Sequence, residues 1–130
     1  MGLDAYRHID ITLPVEAAGA TGYNAMRWPY PGTFRVESIY FTPVIAVTAD
    51  NTNYADLSVN LGATELASEQ TTTADTGNLT AGTAIPMALL VDGESLEVSQ
   101  GDVFKFTKTH AASGVAVEGT ATILCKQIQG

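Results

Sequence analysis

Basic residues are scarce in this chain: six Lys and Arg stand against 14 Asp and Glu, for a formal net charge of −8. Such a surface repels phosphate backbones, so direct nucleic-acid binding is not expected. Cysteine is scarcer still. The single Cys125 sits in the apolar run 121–125 with no second thiol to bridge, and it reads as a small buried hydrophobe in a fold held without disulfides. The two histidines, His8 and His110, are too few and too far apart in sequence for the clustered ligand set of a metal centre. No run approaches the roughly 20 apolar residues of a membrane span. Residues 1–8 show no basic segment leading into an apolar one, so a protein made in the cytoplasm, without a membrane partner, is expected.

What remains is apolar and neutral polar. Hydrophobic residues make up 45% of the chain and charged ones only 15%, which leaves Thr, Ser, Ala, Asn and Gly to cover much of the surface. A surface of that kind suits protein contacts that desolvate little charge. At 130 residues the chain fits one domain with a single core.

The patterning is that of strands and turns. Ile9, Ile11 and Leu13 alternate with His8, Asp10 and Thr12, the period of a half-buried strand. From Pro14 to Gly32, small residues and prolines argue for a long loop. Strand signals then recur over Thr33–Phe41, Val44–Thr48, Asp56–Gly62, Ile85–Val91, Ser95–Val98, Asp102–Lys108 and Val115–Ile128. Pro43 marks a strand boundary or bulge, Asp50–Asn53 an Asx-rich turn, and Asp92-Gly93 and Gln100-Gly101 further turns. Over Ala63–Gln70 helix formers compete, but the following Thr71-Thr72-Thr73 favours an irregular strand. The expectation is an all-β, single-domain sandwich, jelly-roll-like, of about eight strands. Residues 1–32 supply an N-terminal arm, the first strand and the long loop, packed on a core of 33–130.

No catalytic set emerges from this pattern. Ser113-Gly114 follows His110, but the strand-to-helix elbow of a nucleophilic serine does not surround it. Glu94 and Glu97 flank a short strand as a solvated pair, and the 50–56 stretch lacks the glycine and terminal Glu of a calcium-binding EF-hand loop. A protein that is not an enzyme, without cofactor or metal, is expected. The segment Met26-Arg27-Trp28-Pro29-Tyr30-Pro31 contains the residue types enriched at interface centres, and reads equally as a contact loop or as an aromatic cap on one end of the sandwich.

The run from Phe34 to Val59, followed by Val98-Ser99-Gln100-Gly101-Asp102-Val103-Phe104-Lys105-Phe106, resembles the small β-sandwich decoration, or cement, proteins of tailed-bacteriophage capsids. The likeness covers the chain from about Thr33 onward and is one of texture and order rather than of an invariant motif. It implies a structural virion protein, often a homotrimer, that sits on the capsid exterior and bridges major capsid protein subunits against internal DNA pressure. The family offers no shared contact signature. From the residues alone, the expected partner-binding positions are Leu3 and Tyr6 on the terminal arm and Tyr23, Met26, Arg27, Trp28 and Tyr30 on the long loop. The alternative is a carbohydrate-binding or adhesive module of a head fibre or tail, with Trp28, Tyr30 or Tyr54 stacking on sugars.

Overall fold

Where one face of an alternating run is buried, the computed structural model forms a strand. It describes residues 5–130, in the order β1 (Tyr6–Glu16), β2 (Gly22–Arg27), β3 (Thr33–Pro43), β4 (Ala55–Leu61), β5 (Thr64–Gln70), β6 (Ile85–Met87), β7 (Glu97–Ser99), β8 (Val103–His110) and β9 (Val117–Gln129). A single 3-10 turn, Gly93–Leu96, precedes β7.

The pairings are nested. β4 pairs with β5, β3 with β6 and β7, β2 with β8, and β1 with β9, all antiparallel, so the chain is one long hairpin rolled up from its tip. Rolling lays β9 beside β3 and β8 beside β4. The two sheets therefore run β1-β9-β3-β6, with β7 also on β3, and β2-β8-β4-β5. This is a jelly-roll sandwich. It has nine strands rather than about eight because β6 and β7 share one position, opposite Ile39–Phe41 and Thr33–Arg35 of β3 respectively.

The inner faces interdigitate as the alternation predicts. Ile9, Ile11 and Leu13 of β1, Ile39 and Phe41 of β3, Leu57 and Val59 of β4, and Phe104 and Phe106 of β8 are all buried. Phe41 and Phe106 meet across the sandwich, ring centroids 5.6 Å apart and edge to face. Each such side chain contributes about 1.5–3 kcal/mol by leaving water. Cys125 is buried among them, and burial, with Glu37 adding to it, pushes its thiol up to about 12.

Two strand expectations need correction. The long loop placed over 14–32 is largely paired: β1 continues to Glu16, and β2 occupies Gly22–Arg27. Val44–Thr48, expected as a strand, makes only an isolated bridge, Val47 to Leu79, because the sheet ends at Pro43. The irregular strand expected over Ala63–Gln70 forms as β5, with a register shift between Val59 and Asn60 on its partner. Gly101 takes φ +97°, as its turn demands.

The short β1–β2 connection is held from inside by a cation. Lys108 continues the inward period of Phe104 and Phe106 on β8 and is fully buried, and its Nζ donates to the carbonyls of Ala17 (2.8 Å), Ala18 (2.9 Å) and Ala20 (2.8 Å). All three ammonium donors are thereby used. Burial lowers its pKa and the nearby Glu16 carboxylate raises it. Gly114, at φ +68°, closes the same end of the sandwich, since a Cβ there would collide with the Ala18 carbonyl.

Candidate functional site

β1 and β2 are the edge strands of their sheets and lie on the same side of the sandwich, so this side has two unpaired strand edges. A long bare edge invites pairing with another chain. Here Asn24 spans the gap: its Nδ2 donates to Thr12 O of β1 (2.9 Å) and its Oδ1 accepts from the adjacent Ala25 N–H (2.9 Å). One side chain thus occupies a polar group of each bare edge.

β2 itself is unusually open. Residues 23–27 are exposed on both faces of the strand, with Tyr23 at 64% and Met26 at 40%. Of the positions expected to bind a partner, Tyr23, Met26 and Arg27 are brought together here, and Tyr6, at 48%, begins the neighbouring β1. Leu3 lies outside the described residues, as does most of the arm it belongs to.

Trp28 and Tyr30 separate from this group. Trp28 is fully buried, edge-on to Tyr30 (4.9 Å between centroids), Phe34 (5.2 Å) and Phe104 (6.0 Å). Its Nε1 meets no oxygen acceptor and is enclosed by aromatic rings. Of the two readings of this segment, the structure selects the cap for Trp28: its indole has no exposed surface to offer a partner. Tyr30 is half-buried against it.

Tyr6, Tyr23 and Tyr30 each carry a cation. Lys105 Nζ lies 4.2 Å from the Tyr23 ring centroid, Lys126 Nζ 5.8 Å from that of Tyr6, and Arg7 Cζ 5.7 Å from that of Tyr30. Each pair contributes about 0.5–1 kcal/mol at an exposed site and holds a ring in place. The pairings follow from register, since Lys126 stands directly opposite Tyr6, and Lys105, opposite Ala25, is diagonal to Tyr23. A strand-by-strand sequence alignment of the few cations against the tyrosines would have found them only once that register was known.

The opposite side of the sandwich is sealed. Leu90 N–H donates to Leu66 O (2.8 Å), Leu89 bridges Ala67, and Glu69 Oε1 accepts from Ala88 N–H (3.0 Å). Beside this seam is a cleft of about 310 Å³ lined by Glu69, Asp75, Thr76, Ile85 and Pro86. Burial, then hydrogen bonding to Asp75 and its charge, raise the Glu69 carboxyl to about 7, against the pull of the Ala88 N–H. The folded state therefore holds this proton more tightly than the unfolded chain. Its contribution to stability is complete below the ordinary value of 4.5 and is lost as pH rises through about 7. Glu69→Gln, which keeps a neutral hydrogen-bonding head, should melt with less pH dependence than the wild type across that window. Thermal melts at intervals through it provide the check, and parallel curves for the two proteins would contradict this assignment.

At the loop end, Asp50 Oδ1 accepts from Thr52 N–H and Asn53 N–H, both at 2.7 Å, and these two bonds hold its carboxyl below the usual range. Asn51, Asn53 and Asn78 brace neighbouring loops by accepting from Thr73, Ser113 and Ala49 backbone N–H groups. The Asx-rich turn is thus a structural clasp. Among the described residues, no three His, Cys, Asp or Glu side chains stand together as a metal-holding group.

Fold and surface together define a jelly-roll sandwich with one sealed side and one open side that displays tyrosines and cations. No protein-family model matches the sequence, and no curated protein matches it.

Proposed function

We propose that this protein is a structural virion component that binds the outer surface of a bacteriophage head and bridges major capsid protein subunits, acting by contact rather than catalysis. The observation that carries the reading is β2, a strand with one free edge and side chains exposed on both faces, including Tyr23, Met26 and Arg27. Large exposed apolar groups gathered on one side are the mark of a surface that a partner covers. The resemblance of residues from Thr33 onward to capsid decoration proteins supplies the partner. In this reading the protein is made in the host cytoplasm, assembles as a homotrimer and ends on the capsid exterior. A per-copy affinity near micromolar, about −8 kcal/mol, becomes effectively permanent when several copies engage together.

The test is co-sedimentation with empty phage heads. Tyr23→Ala combined with Met26→Ala should weaken retention by about tenfold or more, while the thermal midpoint stays near that of the wild type. Retention unchanged by the double substitution would remove β2 from the interface. The carbohydrate-binding alternative loses Trp28 from its sugar shelf, since that ring is buried; it would be revived by glycan binding that Tyr23→Ala abolishes, in a protein that heads fail to retain.

A further inference from the structure

Asn24 stands where strand periodicity calls for an apolar side chain. Residues directly opposite each other in an antiparallel pair share a face. Asn24 lies opposite Phe106, and Met26 opposite Phe104, so both belong to the inner face of the sandwich, where the two phenylalanines are buried. An exposed amide at such a position adds nothing to the core. Its hydrogen bonds serve a different end.

Along an antiparallel edge strand, one residue turns its N–H and C=O toward the neighbouring strand and the next turns both away. Trp28 fixes the phase of β2: its N–H donates to Asp102 O (2.7 Å) and its O accepts from Gly101 N–H (2.8 Å), both in the segment leading into β8. Counting back in twos, Asn24 and Met26 face β8, while Tyr23, Ala25 and Arg27 present their backbone groups to the open side. On β1, Ala5 O accepts from Gln127 N–H of β9 (2.8 Å), so Tyr6, His8, Asp10 and Thr12 are the outward residues. Ala25 is the middle one of three on β2. Asn24 engages outward groups on both strands, accepting from Ala25 N–H and donating to Thr12 O, each at 2.9 Å.

We infer that Asn24 is a built-in barrier to strand addition: it occupies the middle of the β2 edge, ties that edge to β1, and so denies it to the β2 edge of a second copy of this chain. A polar side chain at an inward position of an edge strand is a known means of preventing edge-to-edge pairing. The second copy is the occupant to exclude, because two β2 edges laid antiparallel about Ala25 would form a self-complementary, two-fold contact with the same outward residues on each side. With the backbone edge closed, a partner covering β2 is recognised by the side chains of Tyr23, Met26 and Arg27. That last step rests on the proposed function, whereas the barrier does not.

The test is sedimentation velocity on variants of the full chain, each compared with the wild type. Asn24→Val suits both a strand and an inward position, so it should fold normally and self-associate about tenfold or more tightly than the wild type. As its concentration rises, the amides of Tyr23, Ala25 and Arg27 should gain protection from hydrogen exchange. Ala25→Pro removes the central outward N–H without touching the ladder to β8, a position where an edge strand tolerates proline. Asn24→Val/Ala25→Pro should therefore return to the wild-type sedimentation. A folded Asn24→Val that sediments like the wild type would overturn the barrier. So would an association that proline fails to reverse, which is the behaviour of a valine sticking by its side chain. Ala25→Pro alone should not alter the head retention proposed above; its loss in a folded protein would mean that the partner adds a strand to β2. A wild type that heads do not retain would remove the proposed function and leave the self-association result standing.

Discussion

Trp28→Ala is expected to destabilise the protein by about 4 kcal/mol, within the roughly 3–5 kcal/mol typical of emptying a large aromatic site in a core. The indole is wholly enclosed by Tyr30, Phe34 and Phe104. The backbone beneath it is pinned independently, Trp28 N–H donating to Asp102 O (2.7 Å) and Gly101 N–H to Trp28 O (2.8 Å), so the neighbours cannot simply collapse into the space. For a domain of this size, a fall of roughly 10–20 °C in the thermal midpoint follows. Trp28→Phe retains much of the volume and removes an N–H that has no oxygen partner, so it should cost less than about 1.5 kcal/mol. Thermal and urea melts of the three proteins give the comparison. A loss below about 1 kcal/mol for alanine would show that the ring is not the cap described above. Because the indole faces inward, Trp28→Phe should not alter the head retention proposed above.

Lys108→Met should cost about 2–3 kcal/mol, since the side chain's stem is preserved while the charge-assisted bonds to three carbonyls are lost. Its effect is local before it is global. Ala17, Ala18 and Ala20 form the turn that launches β2, and without the ammonium their carbonyls must turn to water. Hydrogen exchange should therefore quicken first at Ala20 N–H, which donates to Ala17 O (3.0 Å), and along β2, while β3 and β9 keep their protection. Uniform loss of protection over both sheets would mean that Lys108 supports the whole core rather than this turn.

The parts of the fold legible in the sequence are those where burial is one-sided. Ile9-Ile11-Leu13 and Leu57-Val59 announced their strands because one face meets the opposite sheet and the other meets water. β2 gave no such signal, since both its faces are exposed and nothing selects apolar residues at alternate positions. Val44–Thr48 misled in the opposite sense: its β-branched residues suit a strand, but beyond Pro43 no partner strand runs alongside. The candidate surface was half visible. Tyr23, Met26 and Arg27 stood out by residue type, whereas burial of Trp28 depends on Phe34 and Phe104, which only tertiary pairing brings to it. Lys108 was the clue within reach, as it sits at the next inward position after Phe104 and Phe106.

The nested pairing also governs when this molecule can exist during its own synthesis. β9, made after the eight other strands described, lies between β1 and β3, and both wait for it along most of their length. The tip hairpin β4–β5 needs only local closure, but each further turn of the roll joins residues more distant in sequence, ending with Tyr6 against Lys126. While translation proceeds, β1 thus has no strand beside it and β3 has only the short β6 and β7 on one edge, and the five-stranded sheet is assembled only after β9 clears the ribosome. A nascent chain stalled before Val117 would carry the inner faces of Ile11, Leu13, Ile39 and Phe41 in an unfinished sheet, a state exposed to aggregation and to chaperone capture.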